Sequence, residues 1–228
     1  MPRFARFARN IFQNILLGVI VPVALLSGVA QTKPTAIKVA CVGDSITFGI
    51  IPDRLHKSWP AVLQMLLGSD YDVRNFGHSG ATMLKNGNLP YWSTQEFKKA
   101  TAFDPDIVIV MLGTNDSKTY NWTAHGNEFT DDATALIKHF ENLPAHPKIF
   151  ICTPPPALSN RFAISQDNIV KGVIPDIQQV ATNLNVPVID IQNQLPKDTK
   201  YYNADGIHPN TDGEAYMAQV IVTSIKPE

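Results

Sequence analysis

Three residues of this chain are of the types that perform nucleophilic acyl transfer, and two of them lie three positions apart. Ser45 ends the segment Gly43-Asp44-Ser45, whereas Asp205 and His208 share one short segment. A serine hydroxyl attacks a carbonyl when a base takes its proton, and the base needs a third group to hold its tautomer. Asp205 can accept from Nδ1 of His208 and leave Nε2 to face Ser45. Taken alone, each segment is equally compatible with an ordinary turn.

The position of Ser45 in the chain favours a chemical role. The apolar, β-branched run 37–42 predicts a buried strand, and the Gly-Asp-Ser that ends it predicts a tight turn. Ser45 then lies at the carboxyl end of a strand, which is the edge where open parallel sheets bind ligands. Backbone amides at the following turn or helix start face the crevice there.

Four short segments resemble the four sequence blocks of the SGNH (GDSL) hydrolases and occur in the order of that family. They are Gly-Asp-Ser-Ile-Thr at 43–47, Asn-Phe-Gly-His-Ser-Gly at 75–80, Gly-Thr-Asn-Asp at 113–116 and Asp-Gly-Ile-His-Pro at 205–209. Longer strings around the second and third blocks, together with Thr-Pro-Pro-Pro at 153–156, are similar to a branch described as sialate or carbohydrate O-acetylesterase-like. The resemblance spans residues 43–209 and implies a serine esterase.

The resemblance implies a role for each matching residue. Ser45 is the expected nucleophile, His208 the general base and then acid, and Asp205 the carboxylate that orients the imidazole. The oxyanion would be bound by the backbone amides of Ser45 and Gly80 and by the side-chain amide of Asn115. These residue types suit the binding of an oxyanion, because glycine lets the backbone approach a ligand closely and an amide donates a hydrogen bond without changing charge.

Other residues are weaker candidates. Tyr91, Trp92 and Trp122 are expected at the same edge of the sheet, where they either bind substrate or pack the loops. Asp44 is expected to cap the turn after the first strand, and His78 to be a loop or rim residue without a direct role. The sequence has no His-Glu-x-x-His, Cys-x-x-Cys or Gly-x-Ser-x-Gly pattern, so neither a metal site nor an α/β-hydrolase elbow is predicted.

The elements that must position these residues alternate between strand and helix patterns. Strands are predicted at 37–42, 71–76, 106–112, 148–152 and 186–191. Helices are predicted at 58–67, 95–102, 129–142 and 168–185. A last helix begins at Thr211, where Thr211 and Glu214 fit a capping box, and Pro175 is expected to kink or split the helix that contains it.

This alternation predicts an α/β fold, namely a three-layer α/β/α flavodoxin-like domain on a five-stranded parallel sheet. The strand order 2-1-3-4-5 is the one implied by the resemblance. In that order, Cys41 and Cys152 lie on strands separated by another strand. Neighbouring strands are about 4.8 Å apart, so two steps exceed the roughly 7 Å Cα limit for a disulfide. Two buried free thiols are therefore predicted.

Composition and charge limit the classes of protein to which this chain can belong. The chain has 228 residues, 44% of them hydrophobic and 17% charged, which suits one domain, 31–228, with a full core. Beyond residue 30 there are 16 basic and 20 acidic residues. No nucleic-acid partner is predicted, because neutralising phosphates needs clustered Lys and Arg.

Residues 1–30 have the pattern of a signal peptide. Three arginines precede an apolar stretch at 15–26, and Gly28-Val29-Ala30 offers the small residues needed for cleavage after Ala30. A membrane anchor is the alternative, but the stretch is shorter than the roughly 20 residues of a spanning helix and Pro22 interrupts it. Export to the periplasm or the medium is predicted, with no stable membrane span after cleavage.

These observations predict an exported serine esterase that hydrolyses short acyl esters, above all acetyl esters of a carbohydrate, through an acyl-enzyme and without a cofactor. The partner would be a small-molecule or glycan ester, and no oligomeric state is predicted. A lysophospholipase or thioesterase on the same residues is one alternative. A catalytically silent carbohydrate-binding domain is another. A flavodoxin-like nucleotide binder is a third, which the carboxylate of Asp44 disfavours in a phosphate loop.

Overall fold

The structure, a computed structural model, describes residues 35–226, so the predicted signal peptide lies outside the described residues. The strands are β1 Ile37–Gly43, β2 Tyr71–Gly77, β3 Ile107–Met111, β4 Lys148–Cys152 and β5 Val188–Ile189. Within 35–226 they form one parallel sheet in the order β2-β1-β3-β4-β5. The predicted fold class and strand order are confirmed.

Helices cover both faces of this sheet. They are α1 Ser45–Phe48, α2 Arg54–Lys57, α3 Trp59–Leu67, α4 Gln95–Phe103, α5 Thr119–His125, α6 Phe129–Glu141, α7 Gln166–Asn168, α8 Ile174–Leu184, α9 Ile191–Gln194 and α10 Thr211–Ile225. Along β1, Val39 and Cys41 pack with α3 and α10, whereas Ala40 and Val42 pack with α4, α6 and α8. The alternation of side chains along a strand thus places the sheet between two apolar cores.

Three neighbouring strands end at the same level. Gly43 at the end of β1 pairs with Gly77 in β2 and with Met111 in β3. Because the strands are parallel, the segments that follow them leave the sheet at one edge. These segments hold the candidate serine, glycine and asparagine.

The helix predicted at 168–185 changes its hydrogen-bond pattern along its length. Ile169–Val173 form a π-helical turn, and the regular helix α8 begins at Ile174. Pro175 lies in the first turn of α8, where a missing N–H needs no partner. The irregularity expected at Pro175 is therefore a π-helical turn rather than a break in the helix.

The strand predicted at 186–191 is shorter in the structure. It forms ladder pairs only at Val188–Ile189. Asp190 already caps α9, because its side chain accepts a hydrogen bond from the amide of Asn193. With φ −83° and ψ 76°, Asp190 has left the strand conformation and leads into α9, so the strand ends before it.

The predicted capping box at the start of α10 is wrong. The helix does begin at Thr211, but its N-cap is Asn210, whose side chain accepts from the amides of Asp212 and Gly213. Glu214 is fully buried and instead accepts from the amide of Trp59 at 2.7 Å. The Asn210 side chain already satisfies the first orphan amides of the helix, which leaves the carboxylate available for another element.

Cys41 and Cys152 are buried free thiols, as predicted, and β3 lies between their strands. Burial raises the pKa of both thiols, which makes them inert rather than nucleophilic.

Residues 35–226 contain neither a candidate membrane-spanning helix nor a candidate metal-binding group. No helix in this range combines the length and the apolar character needed to cross a membrane. In the same range, no three His, Cys, Asp or Glu side chains come together as a possible metal-binding group.

Candidate active site

The turn after β1 places Ser45 at the start of a short helix. Ser45 is the first residue of α1, and Asp44 caps that helix by accepting from the amide of Ile46 at 2.9 Å. The capping role predicted for Asp44 is confirmed. Ser45 is 9% exposed, and this exposed part borders a cavity.

Ser45, His208 and Asp205 form a continuous chain of hydrogen bonds. Oγ of Ser45 lies 2.9 Å from Nε2 of His208, and Nδ1 of His208 lies 2.7 Å from Oδ2 of Asp205. An ionised carboxylate can only accept, so Nδ1 carries a proton and Nε2 is left to accept from the serine hydroxyl. The imidazole is oriented for proton removal from Ser45.

The segment from Asp205 to His208 is held by its own backbone. Oδ1 of Asp205 accepts from the amides of Ile207 and His208 at 2.8 and 2.9 Å. Gly206 adopts φ +69°, the left-handed region that favours glycine. Burial opposes the charged carboxylate, but the hydrogen bonds from the ring and amide of His208 and from the amide of Ile207 prevail and lower the pKa of Asp205. Asp205 is therefore ionised where it faces the imidazole.

The residues expected to bind the oxyanion border the same cavity. Ser45, Gly80 and Asn115 all contribute to its wall. Among residues 35–226, the backbone amides of Ser45 and Gly80 have no hydrogen-bond acceptor. Both amides are therefore available to an oxygen of a bound ligand.

The side-chain amide of Asn115 has protein partners. Nδ2 donates to Oδ2 of Asp44 at 3.2 Å and to the carbonyl of Ala81 at 3.1 Å. Both bonds are long for N–H···O, at the upper end of the usual range. They hold the amide in the cavity wall, and an oxyanion would have to share or replace one of them.

Two buried carboxylates lie next to Asn115. Asp116 follows it in the sequence, and Asp44 accepts its hydrogen bond. Burial raises the pKa of Asp44 to about 6. Burial likewise raises the pKa of Asp116 to about 7. The two oxygens of Asp116 accept from the amides of Leu84 and Met83 at 2.8 and 3.0 Å, so this carboxylate fixes the loop that follows the candidate oxyanion glycine.

The cavity that contains Ser45 and His208 has a volume of about 390 Å³, which falls in the range of small-ligand sites. Its wall consists of Ser45, Ile50, Ser79, Gly80, Thr114, Asn115, Lys118, Phe162, Ile164, Asp205, Ile207 and His208. Four of these side chains are large and apolar, and Lys118 adds a positive charge. The cavity can therefore bind a ligand with both apolar and hydrogen-bonding groups.

The three aromatic residues considered as substrate contacts pack within the domain. Tyr91 is fully buried, and its hydroxyl donates to the carbonyl of Phe76 at 2.7 Å. Trp92 and Trp122 are partly buried against the core that contains α4, α6 and α8. The interpretation that Tyr91 contacts substrate is therefore wrong. The two tryptophans are not part of the cavity wall. Large aromatic rings gain most free energy by burial, which favours this packing.

Sequence reasoning missed the aromatic residue that does border the cavity. The ring centroid of Phe162 lies 5.9 Å from that of His208. The sequence could have indicated this residue, because Phe162 is an aromatic residue in the loop after β4, which leaves the sheet at the same edge as the site. Lys118 was missed as well, although it follows the third block by two positions. His78, expected in a loop or on the rim, lies in the loop after β2, bonds to Glu96 at 2.7 Å and does not line the cavity.

Comparisons with known proteins give one family and several relatives. The GDSL-like Lipase/Acylhydrolase family matches residues 41–216. An acetylxylan esterase of Xylanibacter ruminicola is 39% identical over 219 residues, which cover 88% of this chain and 45% of the relative. A multidomain esterase of Ruminococcus flavefaciens is 26% identical over 98% of this chain and 32% of its own length. The chain thus spans less than half the length of these two relatives.

Solved structures share the fold at lower identity. An aryl esterase of M. smegmatis superposes with a TM-score of 0.68 at 21% identity, over 83% of this chain and 98% of that one. A carbohydrate acetylesterase from Sinorhizobium meliloti has a TM-score of 0.68 at 22% identity, with the same coverage. At these identities the likeness shows the fold alone.

Proposed function

This chain belongs to the GDSL-like lipase/acylhydrolase family, and on that premise we propose that it is a serine esterase that removes acetyl or other short acyl groups from a carbohydrate. The observation that carries the proposal is the hydrogen-bond chain from Ser45 through His208 to Asp205 in the wall of one cavity. This geometry has the parts that acyl transfer through a serine requires.

In the first half-reaction, Oγ of Ser45 attacks the ester carbonyl carbon while Nε2 of His208 takes the hydroxyl proton. Asp205 stabilises the imidazolium that forms, since its carboxylate already accepts from Nδ1. The tetrahedral intermediate collapses with cleavage of the bond to the alcohol oxygen, which receives the proton from Nε2. The products of this step are the free sugar hydroxyl and the acyl-serine.

Negative charge develops on the former carbonyl oxygen in this step. The free amides of Ser45 and Gly80 lie at the cavity and supply two donors, and Asn115 supplies a third by sharing its Nδ2 group. Donors that are already oriented cost no reorganisation during the reaction, and one such donor contributes on the order of a hundredfold in rate.

The second half-reaction repeats the first with water in place of the alcohol. Nε2 of His208 removes a proton from water, the hydroxide oxygen attacks the acyl carbon, and Ser45 leaves with the proton returned from His208. Acetate is released and the hydrogen-bond chain is restored. No other reactant is needed to balance this cycle.

The carbohydrate part of the proposal rests on a relative and on the cavity. The relative from Xylanibacter ruminicola is named an acetylxylan esterase, and the cavity wall combines apolar side chains with hydroxyl, amide and ammonium groups, as a sugar ester requires. Export fits the same substrate, because an acetylated polymer is too large to enter a cell. The leader expected in residues 1–30 would provide it.

The test is hydrolysis of p-nitrophenyl acetate, butyrate and octanoate together with acetate release from acetylated xylan, for the wild type and for Ser45→Ala. We expect acetate esters to be preferred and Ser45→Ala to lose at least about a thousandfold in kcat. Circular dichroism and the melting temperature of the variant should match the wild type, because the substitution removes one oxygen atom.

Each other outcome has a definite meaning. A preference for octanoate would replace the carbohydrate acetyl ester by a lipid-like ester while keeping the same three residues. No turnover of any ester by folded wild-type protein would refute the esterase. Undiminished activity of Ser45→Ala would place the nucleophile elsewhere.

A further inference from the structure

Phe162 is a large aromatic side chain that is 58% exposed although it borders the cavity. Its backbone has φ 58° and ψ 23°, and Ala163 after it has φ 61°. Two consecutive residues other than glycine in the left-handed region are unfavourable for the free energy of folding. Neither burial of the ring nor backbone preference therefore explains this conformation.

The segment that carries Phe162 is tied at both ends. Before it, Oγ of Ser159 donates to the carbonyl of Asp205 at 2.6 Å, and the amide of Leu158 donates to the carbonyl of Gly206 at 2.7 Å. After it, Ile164 is 2% exposed and packs with Ile207. The strained pair is thus held against the loop that contains the catalytic histidine, and its ring is presented to solvent.

The location of the ring assigns it to one side of the substrate. The ring centroids of Phe162 and His208 are 5.9 Å apart, with an angle of 59° between the planes. In the proposed reaction, Nε2 of His208 passes its proton to the departing alcohol oxygen. A group beside His208 therefore meets the alcohol part of the ester, which in the proposed function is a sugar.

A second cavity adjoins this segment. It has a volume of about 500 Å³ and includes Ala163 and Ile164 in its wall, whereas Phe162 and Ile164 border the first cavity. Six of its lining residues carry polar side chains: Thr119, Ser159, Asn160, Ser165, Gln166 and Asp167. A polar cavity of this size suits hydroxyl-rich groups rather than an acyl chain.

We propose that Phe162 is the platform on which the esterified sugar ring stacks, and that the adjoining polar cavity receives the next sugar unit of the same chain. The substrate is then an acetylated oligosaccharide or polysaccharide rather than a small acetate ester. The flat, weakly polar face of a sugar ring can cover the exposed aromatic face, as apolar surfaces generally do. This inference rests on the proposed esterase function.

The experiment measures kcat and KM for acetylated xylotriose, acetylated xylose and glyceryl triacetate with wild type, Phe162→Leu and Phe162→Trp. For Phe162→Leu we expect the ratio of kcat/KM for acetylated xylotriose to that for triacetate to fall about tenfold, as for one lost aromatic contact. The fall should come from a higher KM for acetylated xylotriose rather than from a lower kcat. Phe162→Trp should keep the wild-type ratio of the two kcat/KM values. Leu55→Ala, at an exposed apolar position that borders neither of these two cavities, serves as the control and should change nothing.

Asn160→Ala tests the second cavity separately. Asn160 is exposed and borders only the second of the two cavities. The wild type should prefer acetylated xylotriose over acetylated xylose, and this variant should reduce that preference about threefold or more, the size of a lost hydrogen bond. Equal preference in the variant and the wild type would overturn the assignment of the second cavity.

The melting temperature distinguishes a binding role of Phe162 from a purely structural role. Glycine adopts the left-handed region without strain, so Phe162→Gly should raise the melting temperature by about 2–4 °C while KM for acetylated xylotriose rises. A variant with lower stability and equal losses on all three substrates would show that Phe162 supports the fold and would overturn the platform. An unchanged substrate ratio in Phe162→Leu would overturn it as well.

Failure of this inference differs from failure of the proposed function. A wild type that hydrolyses acetylated xylotriose, with variants that keep the substrate ratio, leaves the esterase intact and removes only the platform. A wild type inactive on all three esters removes both. Loss in Phe162→Leu that grows with acyl length on p-nitrophenyl esters would place the ring on the acyl side and overturn the platform.

Discussion

The side-chain amide of Asn115 donates to Oδ2 of Asp44 at 3.2 Å, which joins the turn after β3 to the turn after β1. Asp44 uses its other oxygen to cap the helix that begins with Ser45. One buried carboxylate thus contacts both the helix that begins with the proposed nucleophile and the proposed oxyanion donor. Changes at Asp44 should therefore affect the reaction through the position of Asn115.

Asp44→Ala removes both hydrogen bonds. We expect kcat for p-nitrophenyl acetate to fall about 10- to 100-fold, because an oxyanion donor acts only when it is correctly placed, while KM changes less than about threefold. Asp44→Asn keeps an acceptor for one of the two bonds and should lose less. Equal losses in both variants would show that the charge of Asp44, rather than its geometry, matters.

Asp205→Asn tests the tautomer of the imidazole. An amide can donate to Nδ1, which would leave the proton on Nε2 and prevent that atom from accepting from Ser45. We expect kcat to fall about 10²- to 10⁴-fold, with a partial return at high pH. Steady-state kinetics across pH 6–9 measure this, and Asp212→Asn, an exposed carboxylate of α10, is the control. A loss below threefold would remove Asp205 from the proposed triad.

The raised pKa of Asp116 should make the stability of the protein depend on pH. Its pKa is raised from 3.8 to about 7 by burial, so between about pH 4 and 7 the folded chain holds a proton that the unfolded chain has lost. Linkage then makes the free energy of unfolding decrease as the pH rises through this range. Asp116→Asn cannot titrate, and its melting temperature should vary less between pH 4 and 7 than that of the wild type.

The pH test has its own control. Asp44 contributes in the same direction up to about pH 6 and is present in both proteins, but its charge also helps to raise the pKa of Asp116, so the difference in slope reports Asp116 together with its coupling to Asp44. The lowered pKa of Asp205 acts in the opposite direction at the acidic end of this window, and it is the same in both proteins. Asp70→Asn, at an exposed position, should keep the wild-type slope. Equal slopes in wild type and Asp116→Asn would mean that Asp116 is ionised throughout.

Gly77 at the end of β2 allows close approach of the helix that carries Ser45. A Cβ on Gly77 would lie 2.3 Å from the backbone nitrogen of Phe48, so Gly77→Ala must displace backbone. We expect a loss of roughly 2–4 kcal/mol in the free energy of unfolding by urea, together with a lower kcat.

Gly68→Ala is the matched control for Gly77→Ala. A Cβ on Gly68 meets no atom within 4 Å, although φ is +81°, so only the backbone penalty of about 1–2 kcal/mol applies. The activity of this variant should equal that of the wild type. Gly77 lies in β2 outside the left-handed region, so a loss in Gly77→Ala no larger than that in Gly68→Ala would show that the backbone around Phe48 accommodates the added Cβ.

The architecture was predictable because its signals are local. The apolar run of β4 matched the predicted bounds at 148–152, since a strand buried on both faces leaves a continuous apolar run. The π-helical turn before Pro175 followed from the missing amide of proline. The four sequence blocks located Ser45, Gly80, Asn115, Asp205 and His208 at one edge because parallel strands end in the same direction.

The sequence alone did not decide which residues surround that edge, because this depends on segments far apart in the chain. Glu214 looked like a cap for its own helix, yet it accepts from Trp59, 155 positions away. Tyr91 and Phe162 are both aromatic residues in loops at the carboxyl edge, but one is buried and the other borders the cavity. Residue type and spacing predict chemistry and local backbone, whereas tertiary packing alone determines which side chain is covered and which one faces the ligand.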